Sequence, residues 1–252
     1  MSELMAKATI PYSYDNPEVT ISEQDGIRSL HLGGTMVQSA MRIAAPNELE
    51  LVYTQCMMGF LLFHAKPANM LLIGLGGGSL AKFVYHYLPA TRLTVIETNQ
   101  QVITAAYQYF NLPDEDDRFE IVLTEGNRFI TEYPGAADII MVDGFDDDYQ
   151  VSSLCSQDFY DVTKRCLTNN GILVVNFLSR DKHLKTWLQR IEKSFNGHMI
   201  AMMAEIRGNL IVFAFKNNPG KHSWKSIKQK AQKLEKQYPL PFSEFVTKLQ
   251  KY

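Results

Sequence analysis

Short apolar segments alternate with helical segments along most of this chain, and that alternation restricts its possible folds more than any other feature. The strand-like segments are residues 70–73, 93–96, 119–123, 139–142 and 172–177, and the first of them is an unbroken apolar run. The helical patterns that follow or separate them are residues 79–87, 100–109, 157–167 and 184–195. Runs that are apolar on both faces are typical of parallel strands covered by helices. Because strands alternate with helices, the sequence predicts an α/β fold with a doubly wound, mostly parallel sheet.

A hairpin is predicted after the last of these runs. Two strand-like segments, 198–204 and 210–215, flank a turn at residues 207–209. We expect this hairpin to close the sheet with an antiparallel edge, which brings the total to seven strands.

The N-terminal part predicts a small antiparallel unit. Residues 19–22 and 27–32 alternate in the manner of strands on either side of Asp25-Gly26, a strong hairpin signal. A third strand is expected at 35–38. Apolar residues then recur at helical spacing over 46–64, which predicts one helix there.

The C-terminal tail is rich in lysine, with eight lysines from residue 221 onward. Its apolar residues keep helical spacing, so a helix docked on the body with a solvated lysine face is favoured over a helix that binds RNA or membrane. The chain is therefore expected to divide into a β-hairpin unit at 1–45, a Rossmann-like domain at 46–218 and a helical tail at 219–252.

Composition and charge argue against several classes of protein. A net charge of -2 over 252 residues gives no basic field that would attract nucleic acid. Cys56, Cys155 and Cys166 form no CxxC pair, which argues against a zinc site or a disulfide framework and suits a reducing compartment. No segment resembles a signal peptide or has the length of a membrane span. We therefore expect a cytoplasmic protein without metal, nucleic-acid or membrane partners.

The first segment that indicates chemistry is the glycine-rich loop at residues 74–78, between a strand and a helix. Glycines there allow a sharp turn and a close approach to a ligand, and the helix N-terminus offers free N–H groups. Dinucleotide sites usually follow G-x-G-x-x-G/A, which would require Ser79 to be glycine or alanine. Gly74, Gly76 and Gly78 follow G-x-G-x-G instead. We associate that spacing with AdoMet-type nucleosides, and therefore favour a class I AdoMet-methyltransferase-like Rossmann fold.

Acidic residues follow the next two predicted strands. Glu97 comes directly after the second strand, where a carboxylate can accept hydrogen bonds from ribose hydroxyls. Glu125-Gly126 follows the third strand, at the edge where an adenine could lie. Either acid alone would be interpreted as a solvated loop residue. Because three strand ends bring glycines and acids to one edge, where open α/β sheets bind ligands, a nucleoside crevice is favoured.

A cluster of four carboxylates follows the fourth strand, at Asp143, Asp146, Asp147 and Asp148. Such a cluster attracts a cation, which could be a metal, a polyamine or simple counterions, but the pattern of a calcium loop is absent. For Asp147 and Asp148 a solvated loop is preferred. Asp143 directly follows a buried strand, so it should be rigidly placed, partly desolvated and a candidate catalytic residue.

Taken in order, these segments resemble the spermidine synthase (polyamine aminopropyltransferase) family over about residues 19–215. On the donor side of that resemblance, the glycines at 74–78 match the family's glycine loop. Glu97 matches the acid that binds ribose, and Glu125-Gly126 matches an Asp-Gly that recognises adenine.

On the acceptor side, Gln38 matches a ligand-contacting glutamine and Tyr53 matches a tyrosine that lines the substrate channel. Asp143 and Asp146 keep the spacing of the family's D-x-x-D-P signature. The resemblance implies that Asp143 is the base and that Asp146 holds the polyamine.

The resemblance implies aminopropyl transfer from decarboxylated AdoMet to a polyamine such as putrescine, in a homodimer. The sequence departs from the family where Gly77 replaces an Asp that holds the donor's ammonium, where Asp147 replaces the signature Pro, and where Glu205-Ile206 replaces a Tyr-Pro. A neutral Gly77 would tolerate the carboxylate of intact AdoMet better. A methyl- or aminocarboxypropyltransferase, and a catalytically inactive nucleoside- or polyamine-binding homologue, therefore remain alternatives.

Overall fold

The computed structural model describes residues 8–9, 17–133, 135–146, 149–206, 208–220 and 223–251, and for 8–9, 145–146, 149–150 and 250–251 it describes the backbone alone. Of the residues discussed above, Asp147, Asp148 and position 207 of the predicted turn lie outside the described residues.

The N-terminal part is an antiparallel sheet. Its strands, in spatial order, are β1 (Ala8–Thr9), β2 (Val19–Gln24), β3 (Ile27–Leu32) and β4 (Ser39–Arg42). The β2–β3 hairpin turns at Asp25-Gly26, both with positive φ, as the sequence indicated.

The predicted position of the third N-terminal strand was wrong, because β4 occupies residues 39–42 and not 35–38. Met36 and Val37 are 53% and 45% exposed in the connection, whereas Ala40 and Met41 are 3% and 1% exposed. The strand forms where its side chains can be buried against the body.

The main sheet contains the seven predicted strands and one more. In chain order they are β5 (Asn69–Ile73), β6 (Arg92–Glu97), β7 (Phe119–Leu123), β8 (Ala137–Val142), β11 (Leu167–Leu178), β12 (Met199–Met203), β13 (Asn209–Phe215) and β14 (Leu249–Lys251), and a separate short pair consists of β9 (Phe145–Asp146) and β10 (Tyr149–Gln150). The order across the sheet is β14-β12-β13-β11-β8-β5-β6-β7. The five strands from β11 to β7 are mutually parallel, which confirms the predicted fold class.

The predicted hairpin is confirmed as β12 and β13, but it does not end the sheet. β13 inserts between β11 and β12 and runs antiparallel to both. The edge beyond β12 is then covered by β14 from the C-terminal tail. An exposed strand edge offers unpaired backbone groups, so this pairing protects it.

Helices cover both faces of the sheet. They are α1 (Val52–Met57), α2 (Ser79–Tyr87), α3 (Gln100–Tyr109), α4 (Gly126–Glu132), α5 (Gln157–Cys166), α6 (Leu184–Ser194), α7 (Trp224–Leu234) and α8 (Phe242–Lys248), with 3-10 helices at Met58–Leu62 and Ser152–Cys155. The expected helix over 46–64 is shorter: it begins at Val52, because Leu51 is extended and its carbonyl accepts the N–H groups of Thr54 and Gln55 as a helix start.

The tail differs from the single docked helix that the sequence indicated. It comprises α7, α8 and the edge strand β14. The ring of Tyr238 packs against Phe83 and Tyr87 of α2. On the tail itself, Tyr238 also packs against Phe242, which is fully buried. This apolar contact holds the lysine-rich segment against the body of the protein.

Polar contacts fix the N-terminal sheet beside the glycine loop. The Ser79 hydroxyl at the start of α2 donates to the Ala40 carbonyl oxygen of β4 at 3.2 Å. Arg28 of β3 donates to the last carbonyl of α3, that of Tyr109, at 2.5 Å, where a cation also complements the helix dipole. The loop that carries Gln38 is thereby held over the carboxyl edge of the main sheet.

Candidate active site

Backbone hydrogen bonds join the carboxyl ends of the central strands. The N–H of Gly74, after β5, donates to the carbonyl of Ile96 on β6 at 2.9 Å. The N–H of Asp143, after β8, donates to the carbonyl of Ile73 on β5 at 2.9 Å. The glycine loop, Glu97 and Asp143 therefore share one rim of the sheet.

The glycine loop is shaped by backbone conformations that favour glycine. Gly74, Gly76 and Gly78 have φ values of 100°, 53° and 71°. A Cβ at Gly74 would lie 2.3 Å from the carbonyl oxygen of Asp143, so only glycine allows these two strand ends to approach so closely. The loop leads directly into α2, whose first N–H groups form a ready anion- or dipole-binding end.

Glu97 links the glycine loop to the end of β6. Its Oε2 accepts the N–H of Leu75 at 2.9 Å, and its Oε1 accepts the N–H groups of Thr98 and Asn99 at 2.8 and 2.9 Å. Three backbone donors therefore fix the orientation of the carboxylate. Each oxygen of a carboxylate has about two lone pairs, so capacity remains for a ligand hydroxyl.

Glu125 and Gly126 lie where β7 passes into α4. Glu125 is exposed and extended on the rim, and the helix begins with the buried Gly126. A Cβ at Gly126 would lie 2.5 Å from Cγ2 of Ile73 and 3.2 Å from Cδ2 of Leu154. The structure thus gives Gly126 a packing reason in addition to the adenine contact expected of it.

Asp143 is partly buried and is held by two side chains. Its Oδ1 accepts the Nδ2–H of Asn176 at 2.8 Å, and its Oδ2 accepts the hydroxyl of Tyr53 at 3.3 Å. Burial raises the pKa of the Asp143 carboxyl above its usual 3.8, and the two hydrogen bonds partly oppose that rise. Burial and the nearby carboxylate raise the pKa of Tyr53 well above 10.0, so the tyrosine is a neutral donor.

The two other predicted substrate contacts, Gln38 and Asp146, belong to different segments of the chain. The Tyr53 hydroxyl is 3.5 Å from the carbonyl oxygen of Gln38, which follows the exposed loop between β3 and β4. Asp146 lies in β9, three residues after Asp143, and its backbone faces Tyr149 of β10. Gln38 is therefore connected to Asp143 through Tyr53.

Gly77 is enclosed by side chains. A Cβ there would lie 2.8 Å from Cδ1 of Phe110 and 2.8 Å from Oγ of Ser39. An aspartate at this position would require both neighbours to move. The absence of a carboxylate at 77 is thus accompanied by packing that fills the space of its side chain.

Asn176 and Asn209 were not predicted from the sequence as part of the site. Asn176, on β11, is 1% exposed and donates to Asp143, and Asn209, at the start of β13, donates to the oxygen of Asn176 at 2.9 Å. The available signal was an amide inside the apolar run 172–177, since a buried amide requires partners.

Within the ranges that the structure describes, no group of three or more His, Cys, Asp or Glu side chains is arranged to hold a metal ion. None of the helices in those ranges is long and apolar enough to cross a membrane.

Two comparisons with known proteins point to one family. The model of the spermine/spermidine synthase domain matches residues 50–223. A polyamine aminopropyltransferase from Chromobacterium violaceum is 42% identical over 233 residues, which are 92% of this chain and 89% of that protein.

Two further similarities extend this picture. An eEF1A lysine and N-terminal methyltransferase from Xenopus laevis is 30% identical over 185 residues, 69% of this chain and 26% of that larger protein. The crystal structure of a spermidine synthase in complex with the transition state analogue AdoDATO has a TM-score of 0.72 and 21% identity, covering 95% of this chain and 83% of that one. At that identity the structural match supports the fold.

Proposed function

The chain belongs to the spermine/spermidine synthase family, and from that premise we propose that it transfers an aminopropyl group from a decarboxylated AdoMet-type sulfonium to an amine of a polyamine such as putrescine. The observation that carries the proposal is the position of Asp143, a partly desolvated carboxylate on the same rim as the glycine loop and Glu97. The 42% identical relative named polyamine aminopropyltransferase covers 92% of the chain, which supports a transferase.

The chemistry requires a base next to the acceptor amine. An alkyl ammonium has a pKa of about 10, like lysine, and only the neutral amine can attack. In the proposed step the amine nitrogen forms a bond to the donor carbon, the carbon–sulfur bond breaks, and the electron pair stays on sulfur as a neutral thioether. Asp143 takes the proton that the nitrogen loses. Because the carboxyl pKa is raised, it differs less from the pKa of the ammonium, and the proton transfer is less unfavourable.

The residues of the glycine loop fit the donor. We assign its nucleoside to Gly74, Gly76 and Gly78, whose conformations allow a close backbone approach. Glu97, held by three backbone N–H groups, would accept the ribose hydroxyls, and Glu125 with Gly126 would lie beside the adenine.

The acceptor would bind on the other side of Asp143. We assign its distal ammonium to Asp146, and the wall of its channel to Tyr53 and Gln38. Aligning the amine with the donor carbon would supply most of the rate, because the sulfonium is already a good leaving group.

One observation favours a second candidate, an AdoMet-dependent transferase that moves a methyl or aminocarboxypropyl group. Gly77 carries no carboxylate, and Phe110 and Ser39 occupy the space that its side chain would need. The Xenopus laevis relative named as a methyltransferase covers 69% of the chain. A third candidate is a homologue that binds nucleoside or polyamine without catalysis. A measurement of turnover distinguishes it from the two transferases.

We also propose that the enzyme acts in the cytoplasm as a homodimer on a small cationic substrate, without nucleic acid or membrane partners. Cys56, Cys155 and Cys166 are free thiols, which suits a reducing compartment. Light scattering on the purified protein measures the dimer directly, and a monomeric mass would contradict it.

The test of the main proposal compares three ligands and two reactions. Calorimetry measures binding of decarboxylated AdoMet, AdoMet and methylthioadenosine, and a product assay with putrescine measures transfer from each sulfonium. We expect transfer from the decarboxylated donor to putrescine. Turnover with intact AdoMet alone would favour the second candidate, and tight binding of all three without any product would favour the inactive homologue.

A further inference from the structure

Asn176 stands out among the residues of β11 because it is a polar side chain inside an apolar run. Its neighbours Val175 and Phe177 are fully buried, and Asn176 itself is 1% exposed. Burial of an amide is unfavourable unless its polar atoms find partners. The partners of Asn176 therefore indicate why an amide occupies this position.

Hydrogen bonds run in one direction through Asn176. Nδ2 of Asn209 donates to Oδ1 of Asn176 at 2.9 Å, and Nδ2 of Asn176 donates to Oδ1 of Asp143 at 2.8 Å. An ionised carboxylate can only accept, so Asn176 must turn its NH₂ group toward Asp143. Its oxygen then faces Asn209, which must donate. We call these three residues the amide relay.

The sheet register explains how the relay is assembled. β11 pairs in parallel with β8 through Val175 and Val142. The residues that follow, Asn176 on β11 and Asp143 just past the end of β8, therefore lie side by side. Asn209 begins β13, the strand on the opposite side of β11. The relay therefore crosses three adjacent strands near the rim that carries Asp143.

The two oxygens of Asp143 are held unequally. Oδ1 has the short bond from Asn176, whereas the described contact of Oδ2 is the longer one, 3.3 Å, from Tyr53. Among the described side chains, Asp143 is hydrogen-bonded to one titratable group, the hydroxyl of Tyr53 on α1. The side chain of β11 that contacts Asp143 is the uncharged Asn176.

We propose that Asn176 and Asn209 are positioning residues that fix the side-chain orientation of Asp143 and favour its ionised form, leaving Oδ2 to accept the proton of the attacking amine. The first part of the proposal, that the two amides orient the carboxylate, depends only on the observed hydrogen bonds. The assignment of Oδ2 as the proton acceptor rests on the proposed aminopropyl transfer.

The direction of the effect follows from two opposing causes. Burial raises the pKa of Asp143, and donation from Asn176 lowers it. Removal of the Asn176 donor must raise the pKa further. A hydrogen bond to a charged group is worth enough to move a pKa by about one unit.

Unfolding by urea at pH 5 and pH 8 tests the relay without reference to catalysis. Asn176→Leu keeps the number and branching of the side-chain heavy atoms and removes the donor. The variant is compared in the native and Asp143→Asn backgrounds. When the pKa of a carboxyl group is higher in the folded state than in the unfolded state, the protein loses stability as the pH rises from the lower pKa through the higher one. We therefore expect Asn176→Leu to lower the free energy of unfolding more at pH 8 than at pH 5. When residue 143 is Asn, this loss of stability should be the same at both pH values.

Asn209→Ala gives a second, milder variant in case Asn176→Leu does not fold, and a smaller effect of the same sign is expected. The matched control is Asn217→Ala, beyond the opposite end of β13, where Nδ2 donates to the carbonyl of Asn169 on an exposed surface. The loss of unfolding free energy caused by Asn217→Ala should be the same whether residue 143 is Asp or Asn. Penalties of the relay variants that are equal at both pH values, or a pH dependence that persists in the Asp143→Asn background, would overturn the proposal.

Kinetics then separate the relay from the proposed function. With putrescine and the decarboxylated donor, the acid limb of the kcat/KM profile should move to higher pH by about one unit in Asn176→Leu. An unchanged limb with a lowered plateau would contradict the assignment of Oδ2. A wild-type protein with no transfer at any pH would refute the proposed function while the unfolding result still decides the relay.

Discussion

Strand β8 has an aspartate near each end, and the two carboxylates lie in different surroundings. Asp138, near the start of the strand, accepts the backbone N–H groups of Ala68 and Asn69 at 2.7 and 3.2 Å. Its other oxygen accepts the hydroxyl of Thr168 at 2.9 Å and lies 3.8 Å from Nε2 of His64. Asp138 therefore ties three strands together at the rim opposite the candidate site.

Asp143, just past the other end of the same strand, has no backbone donor among its described contacts. Asn176 and Tyr53 hold it through their side chains, and its pKa is raised by burial. A desolvated carboxylate with spare acceptor capacity stabilises the fold less than a fully bonded one, but it can take a proton. The comparison suits the Asp138 end of β8 to stabilising the fold and the Asp143 end to the proton acceptance that we propose.

The strongest test of this difference is Asp143→Asn. We expect kcat/KM for aminopropyl transfer to fall by about 10²–10⁴-fold, because the proton acceptor is lost while the shape is kept. Stability at pH 7 should stay equal or increase. The folded-state pKa of Asp143 is raised, so ionisation costs stability as pH rises above the unfolded pKa, and Asn removes that cost.

Both quantities are measured on the same preparation, by product assay and by urea unfolding, with binding of methylthioadenosine as the control for an intact nucleoside site. Wild-type turnover in Asp143→Asn would remove Asp143 from the mechanism.

The opposite result is expected for Asp138→Ala. The substitution leaves two backbone N–H groups and one hydroxyl without their acceptor, and we expect a loss of about 1–2 kcal/mol because water reaches this exposed rim. The kcat/KM of the folded enzyme should stay close to wild type. A large fall in kcat/KM without a loss of stability would mean that the two ends of β8 are not separate in function.

The sequence predicted the position of Asp143 better than the contacts of Asp138. Asp143 follows a short apolar run, Glu97 follows another, and glycines follow a third, so the positions of strand ends sufficed. Asp138 is bonded by Ala68, 70 residues away, and no local pattern reports such a contact.

The other misses have the same physical origin. Asn176 is one polar residue inside an apolar run, and its role depends on Asp143, 33 residues away. The edge strand β14 is only three residues long and is defined by pairing with β12, so its own sequence carries little signal. Contacts between distant segments decided these features, whereas periodicity decided the helices and the main strands.

The smallest expected effect tests whether side-chain donors really tune Asp143. Tyr53→Phe removes the hydroxyl 3.3 Å from Oδ2, and since that bond favours the ionised form, the pKa of Asp143 should rise further. The acid limb of kcat/KM should move to higher pH by about half a unit, less than for Asn176→Leu because the bond is longer. The matched control is Tyr85→Phe, which breaks a 2.8 Å bond from a tyrosine to Asp116 on an exposed surface and should leave the limb in place. A shift in the control as large as in Tyr53→Phe would mean that the change is global, and the contrast between the two ends of β8 would lose its electrostatic basis.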